Sequence, residues 1–465
     1  MLLARRRAAT VLVVIAALGV ACDDGGPGPS DPPPGDEAAP APADADAVVL
    51  PDTPLGEQLR WLLDVLADGP PDDAAVDARF DDAFLAEVSV AELRQVFAQF
   101  RGDWTVTDVD AAPDGLEGRM RVLEAGGADF EVLAAVEPDP PHRFTGLLLR
   151  PASDVETPPD LEALAERLEA AAETSAVLVA EVRDGTCTPV FADDADVVVP
   201  IASAFKLYVL GAVADAVTAG ELDWDETLVV RDRLRSLPSG RLQDEPDGTE
   251  VTVREAALAM VEISDNTATD LLIDRVGREA VEQALARYGH HDPSRNQPLI
   301  TTRELFQLKL GVDAGRRSAF VDADEPVRRQ LLDELGGEPL DVAPEAWTTP
   351  IEVDTLEWFA TAEDLCRAHV ALAEVGRRDP TAPVRDILAA NPGTGIDPEV
   401  WSYAGFKGGS EPGVLTLSWY LEPVDDDADA HVVVTAAADT RQPLDELEVA
   451  ALMTTAVEVV SEDLR

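Results

Sequence analysis

The sequence predicts an α/β sandwich of about 300 residues, an antiparallel sheet plus a helical region, preceded by a small α+β domain. Two observations carry this. From about Pro158 onward, strand-like runs stand near both ends of the chain with a long, mostly helical stretch between them. Before Pro158, helical segments come first and strand-like runs follow, the pattern of a separate α+β unit. A chain of 465 residues has room for two or three such domains.

The first residues do not belong to either domain. Residues 1–21 carry Arg5, Arg6 and Arg7 and then a short apolar run, too short to span a bilayer and laid out as a secretory signal. The run ends in Gly19 and Ala21 directly before Cys22, which predicts lipidation of Cys22 after cleavage; ordinary cleavage at the same bond would leave a free thiol. Residues 22–52 are rich in Pro, Asp, Gly and Ala without apolar periodicity, and read as a disordered tether. The expected location is therefore outside the cytoplasm, on a membrane-anchored extracellular or periplasmic lipoprotein.

The small domain is expected over 53–152. Its helices are "LGEQLRWLLDVLA", "DARFDDAFLAEV" and "SVAELRQVFAQF", the last with Ser89 and Glu92 spaced as a capping box. Four strand-like runs follow, "DWTVTDVDA", "LEGRMRVLEA", "DFEVLAAVEP" and "HRFTGLLLRPA". It has no metal spacing and no phosphate loop, and its lone His142 reads as structural; an accessory or binding module is expected. The larger domain, 158–465, begins with the helix "DLEALAERLEAAAE" and the strand "SAVLVAEVRD". It ends with "WSYAGFKGG", "VLTLSWYLEP", "HVVVTAAAD" and the helix "LDELEVAALMTTAVEVVSEDL".

A net charge of −55 excludes a nucleic-acid partner, because a phosphate backbone would be repelled. A coding bias against lysine with an acidic surface, or a salt-rich habitat, accounts for that charge equally well. Three cysteines make no disulfide framework. With Cys22 lipidated, Cys187 and Cys366 are left to pair, or Cys366 is a buried free thiol on the apolar side of its helix.

The chain has 36 basic side chains, and only Lys206, Lys309 and Lys407 are lysines. Lys206 stands three residues after Ser203 at the start of an apolar helix, so the two share one face. A serine hydroxyl needs a neighbouring base, and a desolvated lysine amine can serve where a guanidinium cannot. Further on, Ser264, Asp265 and Asn266 precede a helical run; a plain N-cap is the local alternative. Lys407, Gly408, Gly409 and Ser410 stand at the end of a strand-like run, where glycines admit a substrate close to the backbone and lysine offers a cation. A β-turn is the local alternative there.

In this order, S-x-x-K, S-D-N and K-x-G resemble the motifs of class A β-lactamases and related penicillin-recognising serine hydrolases. The resemblance covers 158–465 and implies the β-lactamase/transpeptidase-like fold. It implies Ser203 as acylated nucleophile, Lys206 as its base and Ser264 as proton shuttle. Asn266, Lys407, Gly409 and Ser410 would bind substrate, with the Ser203 and Ser410 N–H groups as oxyanion hole. No metal or organic cofactor is implied, and the partner is a small-molecule or peptide substrate. Gly408 departs from the pattern by removing a hydroxyl, and the interval from Asn266 to Lys407 carries an insertion between about Leu299 and Trp358. No E-x-x-L-N for a deacylating glutamate is present; Asp292, Glu345, Glu352 and Glu357 are candidates, while Glu304 reads as a capping-box partner of Thr301. The two-domain layout further resembles β-lactamase-like proteins of the clavulanic acid biosynthesis cluster, whose N-terminal domain is steroid-isomerase-like. The functions to be weighed are an exported serine hydrolase and a lipoprotein that binds ligand or cell wall without turnover.

Overall fold

A computed structural model describes residues 48–464 apart from 114, 126–128, 153–154, 156, 341, 343–346, 379–382 and 426–427. The signal, Cys22 and most of the tether lie outside the described residues. The chain divides into a unit ending at Asp154 and a unit Val155–Arg465.

In the first unit, Thr53 caps α1 (Pro54–Asp68) by accepting from Gly56 N, with proline at the helix start. Leu55, Leu59, Leu62 and Leu66 form its buried stripe. Of the single helix expected over Asp77 to Val88 only the second half forms, as α3 (Asp82–Glu87), after a separate short α2 (Asp73–Asp77) that ends where the expected helix would begin. Asp81 caps α3 through Phe84 N, and Phe80 leaves the helical path to bridge to Phe144, where both rings are fully buried. α4 (Val90–Gln99) precedes the strands β1 (Trp104–Ala111), β2 (Glu117–Glu124), β3 (Asp129–Val136) and β4 (Phe144–Pro151). They form an antiparallel meander in sequence order. Its inner residues, Met120, Val122, Val132 and Val136, pack with Phe80, Phe84 and Phe97. The expected Ser89–Glu92 capping box falls on a Glu92 side chain outside the described ones. His142 has φ 59° and its Nδ1 bonds Glu137 O, a structural place.

The second unit opens with α5 (Leu161–Ala171), capped by Asp160, then β5 (Thr174–Arg183), β6 (Thr186–Asp193) and the short β7 (Val199–Pro200). α6 (Lys206–Thr218), β8 (Thr227–Val229), β9 (Glu250–Thr252), α7 (Val253–Glu262), α8 (Asn266–Val276), α9 (Arg278–Arg287) and α10 (Thr302–Phe306) build the helical region. Within the expected insertion stand α11 (Ala314–Val321) and α12 (Glu325–Leu335). The chain returns through β10 (Phe359–Ala360), α13 (Ala362–Arg378) and α14 (Val384–Ala389) to β11 (Trp401–Glu411), β12 (Val414–Pro423) and β13 (Ala430–Ala438), and ends in α15 (Glu446–Asp463).

The main sheet is antiparallel in the order β11-β12-β13-β5-β6, so both chain ends supply it. One face, with Leu178, Val432, Val434 and Ala436, packs on α13, and the same core continues into α6 and α8. The other, with Val177, Val179, Val433 and Trp419, packs on α5 and α15 through Leu164, Leu168, Met453 and Val457. Strands buried on both faces read as unbroken apolar runs, which is how "SAVLVA" stands out in the sequence. Cys187 and Cys366 are disulfide-bonded, joining β6 to α13, so the free-thiol reading of Cys366 does not hold.

Candidate active site

Ser203 sits where a strand turns abruptly into a helix. β7 pairs with β10, and Ile201 N donates to Trp358 O at 2.9 Å. Ala202 then adopts φ 42°, a left-handed conformation that costs a residue with a Cβ about 1–3 kcal/mol. Ala202–Phe205 form a 3-10 turn that runs into α6, and the Phe205 ring stacks on Trp358 with centroids 3.8 Å apart. Ala202, Ala204, Phe205 and Lys206 are buried, whereas Ser203 is half-buried.

Lys206 is wholly buried. Its Nζ donates to Ser264 O at 2.6 Å, to Ser264 Oγ at 3.0 Å and to Asn266 Oδ1 at 2.7 Å. Burial first, and then the neighbouring Lys407, hold its pKa well below the ordinary lysine range, against the opposing pull of Asp265 and Asp270. Loss of a proton from this amine leaves two hydrogens and a lone pair, so one of the three donations is then given up. The Ser264 hydroxyl, 3.0 Å away, is placed to donate back to it.

Ser264 is itself held in a left-handed conformation, φ 56°. The fully buried Asp265 is the α8 N-cap, accepting from Ala268 N, and its second oxygen accepts from Arg241 N and Leu242 N. This latches the 236–243 segment against the serine. Gly240 (φ 113°) is required there, since a Cβ would fall 2.3 Å from Asp265 Cγ. Asn266 is buried, with Oδ1 on Lys206 and Nδ2 donating to Leu237 O at 3.0 Å. It orients Lys206 and retains one amide hydrogen for a substrate. The plain N-cap alternative therefore applies to Asp265 alone.

Lys407 lies in the middle of β11 rather than at its end. The strand continues through Glu411 and the turn falls at Pro412 and Gly413, so the β-turn alternative holds at the far end of residues 407–413 and not at Lys407. Its buried Nζ donates to Ser264 Oγ at 3.0 Å and to Gly408 O at 2.7 Å, and burial lowers its pKa to about 7. Ser264 Oγ thus bridges both site lysines. A Cβ on Gly409 would stand 2.5 Å from Ser203 N, so only glycine lets β11 approach the nucleophile's backbone this closely. At Gly408 a Cβ would meet the Phe406 ring at 3.0 Å, a close contact that a small shift of the ring would relieve. Ser410, next along, is exposed on the edge strand of the sheet.

The structure therefore brings Ser203, Lys206, Ser264, Asn266, Lys407 and Gly409 together, with Ser410 alongside. It does not bring the acids there as free bases. Asp292 is exposed and caps Pro293–Asn296 through Ser294. Glu352 accepts from Thr355 Oγ1. Glu357 is buried in an ion pair with Lys309, and Glu345 lies outside the described residues. Glu304 forms the expected capping box with Thr301. His290, His291 and Asp364 lie close enough to hold a cation, but Asp364 already accepts from Thr361 N, His291 N and Arg367. Sequence reasoning missed Lys309 and Glu411 as neighbours of the site; the scarcity of lysine was the available signal.

Residues 160–375 match the model of the β-lactamase enzyme family. Residues 50–139 match a model described as the ORF 12 gene product N-terminal family. The second unit is thus similar to β-lactamases over a range that includes Ser203, Lys206 and Ser264 and stops before Lys407. No curated protein matches the chain. Similar solved structures include a β-lactamase from Sphaerobacter thermophilus, 22% identical over 66% of this chain and 97% of that one, with a TM-score of 0.47. Another, described as PBP-A, is 18% identical over 66% and 98%, with a TM-score of 0.43. An ancestral class A β-lactamase is 20% identical over 65% and 98%, with a TM-score of 0.44.

Proposed function

We propose that the chain is an exported serine hydrolase that acts through a Ser203 acyl-enzyme on a β-lactam, a cell-wall peptide or an ester. The observation that carries this is a wholly buried Lys206 of depressed pKa, one turn from the half-buried Ser203 and sharing Ser264 with Lys407. Ser203 Oγ attacks the carbonyl carbon while Lys206 takes its proton. The charge that develops on the carbonyl oxygen meets the Ser203 and Ser410 N–H groups. The proton then passes from Lys206 through Ser264 Oγ to the leaving nitrogen or oxygen, and the bond to it breaks. Lys407 and Ser410 hold a substrate carboxylate, and Asn266 offers its remaining amide hydrogen. Hydrolysis of the ester by water completes the cycle.

A second reading is a surface lipoprotein whose domain is catalytically weak or silent and binds ligand or cell wall. It is favoured by the occupied state of Asp292, Glu352 and Glu357, which leaves the deacylation step without an assigned base. Incubation with a fluorescent penicillin, followed by intact-protein mass spectrometry of wild type and Ser203→Ala, separates the two. A serine-dependent adduct supports the hydrolase, and no adduct supports the binding module.

The matches of 50–139 and 160–375 to two family models in tandem support the likeness to two-domain proteins of the clavulanic acid cluster type. The export reading rests on residues 1–22. In a bacterial host Cys22→Ala should release the protein from membranes, and a soluble wild type with an unmodified Cys22 would leave simple secretion.

A further inference from the structure

The third lysine is buried as completely as the first. Lys309 lies in a single π-helical turn, Gln307–Gly311, between α10 and α11. Its Nζ donates to both carboxylate oxygens of Glu411 at 2.6 and 2.7 Å and to Glu357 Oε1 at 3.2 Å. All three side chains are buried. One ammonium facing two ionised carboxylates would leave an uncompensated buried negative charge, a costly arrangement. Burial first, and then the neighbouring Glu357, push Glu411 well above the ordinary carboxylate range against the pull of Lys309. A Glu411 that keeps its proton leaves the cluster neutral.

Its position gives it a task. Glu411 directly follows Ser410 and shares the inner face of β11 with Lys407 and Gly409. Glu357 directly precedes Trp358, whose N–H it accepts at 3.0 Å. Trp358 in turn accepts from Ile201 N and stacks on Phe205, on either side of Ser203. The same three stretches meet again in a small apolar cluster of Ala202, Val353 and Val414.

We propose that Lys309, Glu357 and Glu411 form a buried ion-paired clamp that fixes the β11 edge against the Ser203 turn and so sets the spacing of the two oxyanion N–H groups. These are positioning residues; the proposal rests on the acyl-enzyme reading of the site. A lysine suits the task because its compact ammonium reaches three oxygens where a planar guanidinium would not fit.

The test separates acylation rate from substrate binding by stopped-flow kinetics with a penicillin. Lys309→Met should lower the acylation rate constant by about tenfold or more, since one misplaced oxyanion donor costs about a hundredfold or more. Penicillin binding before acylation should change by less than about threefold. Glu411→Gln, which keeps a neutral hydrogen-bonding group, should keep the acylation rate within about threefold. Should Lys309→Met fail to fold, Lys309→Met with Glu411→Met replaces the ion pair by apolar chains and should show the same selective loss. A wild-type acylation rate in either lysine variant, or an equal loss in Glu411→Gln, overturns the clamp. If wild type forms no Ser203 adduct, the acyl-enzyme reading fails and hydrogen exchange judges the clamp. Exchange at 199–205 and 407–411 should then rise in the lysine variant relative to the rest of the sheet, and unchanged exchange there overturns it.

Discussion

Lys407→Met should make the protein more stable while impairing its site. Lys407 is held from its ordinary 10.5 to about 7 by burial alone. At about 1.4 kcal/mol per pH unit, that descent amounts to roughly 5 kcal/mol of folding free energy lost at or below neutral pH. Methionine has similar length and no charge to desolvate. It forfeits the hydrogen bonds to Ser264 Oγ and Gly408 O, roughly 1–2 kcal/mol together. A net gain of roughly 3 kcal/mol, at about 2 °C per kcal/mol, gives a rise of about 6 °C in Tm at pH 7. The sign of the pH dependence is fixed. Between pH 7 and 10.5 the unfolded lysine is protonated and the folded one is not, so wild type gains stability as pH rises through that window. The variant lacks this gain, so the gap should close near about pH 9 and reverse by the roughly 1–2 kcal/mol of lost hydrogen bonds as pH approaches 10.5. Calorimetric melts of both proteins from pH 6 to 10.5 measure this. Removing Lys407 also removes a cation that depresses Lys206, so the alkaline rise of acylation should move to higher pH. A variant less stable than wild type at pH 7, or a gap that does not close with pH, would refute the assignment of Lys407 as a buried amine under strain.

Three further outcomes are expected. Lys206→Arg should cut the acylation rate by about a hundred to ten thousandfold, as for loss of a positioned base, measured by pre-steady-state labelling. Lys309→Arg, which its place outside the three motifs would make nearly silent, should instead destabilise the chain by about 1–3 kcal/mol in denaturant titrations, because a larger planar group enters a filled, buried ionic site. Reduction of Cys187–Cys366 should cost about 2–5 kcal/mol, read as a drop in Tm under dithiothreitol.

Much of this architecture is legible in the sequence because the signals are local. The β5 run "SAVLVAEVR" and the β12 run "VLTLSWYLEP" are apolar enough to mark strands by themselves, and each expected strand of the meander appears within a residue or two. The break at Phe80 was not legible, because the helix stops there to bury an aromatic ring against Phe144, a tertiary contact that local propensity does not encode. The extension of β11 past Lys407 escaped for a related reason. "GGSEPG" reads as a turn by composition, yet Gly409 is in the strand because Ser203 N leaves no room for a side chain. Ser203, Lys206, Ser264 and Lys407 were found because each sits in a short motif whose spacing matches its chemistry. Lys309 and Glu411 are separated by 102 positions and fall in no motif. Only the use of arginine for all but three of the basic side chains marked Lys309 out.

The central claim is that Ser203 becomes covalently acylated with Lys206 as its base. Intact-protein mass spectrometry of the chain mixed with a reactive penicillin tests it most directly, with a time course of release. The account predicts one adduct per chain on the peptide containing Ser203, absent in Ser203→Ala and in Lys206→Arg. Because Asp292, Glu352 and Glu357 are engaged elsewhere, the adduct should persist, giving a burst of close to one equivalent and then slow turnover. An unmodified wild-type protein, or an adduct that forms equally fast in Lys206→Arg, would contradict the account.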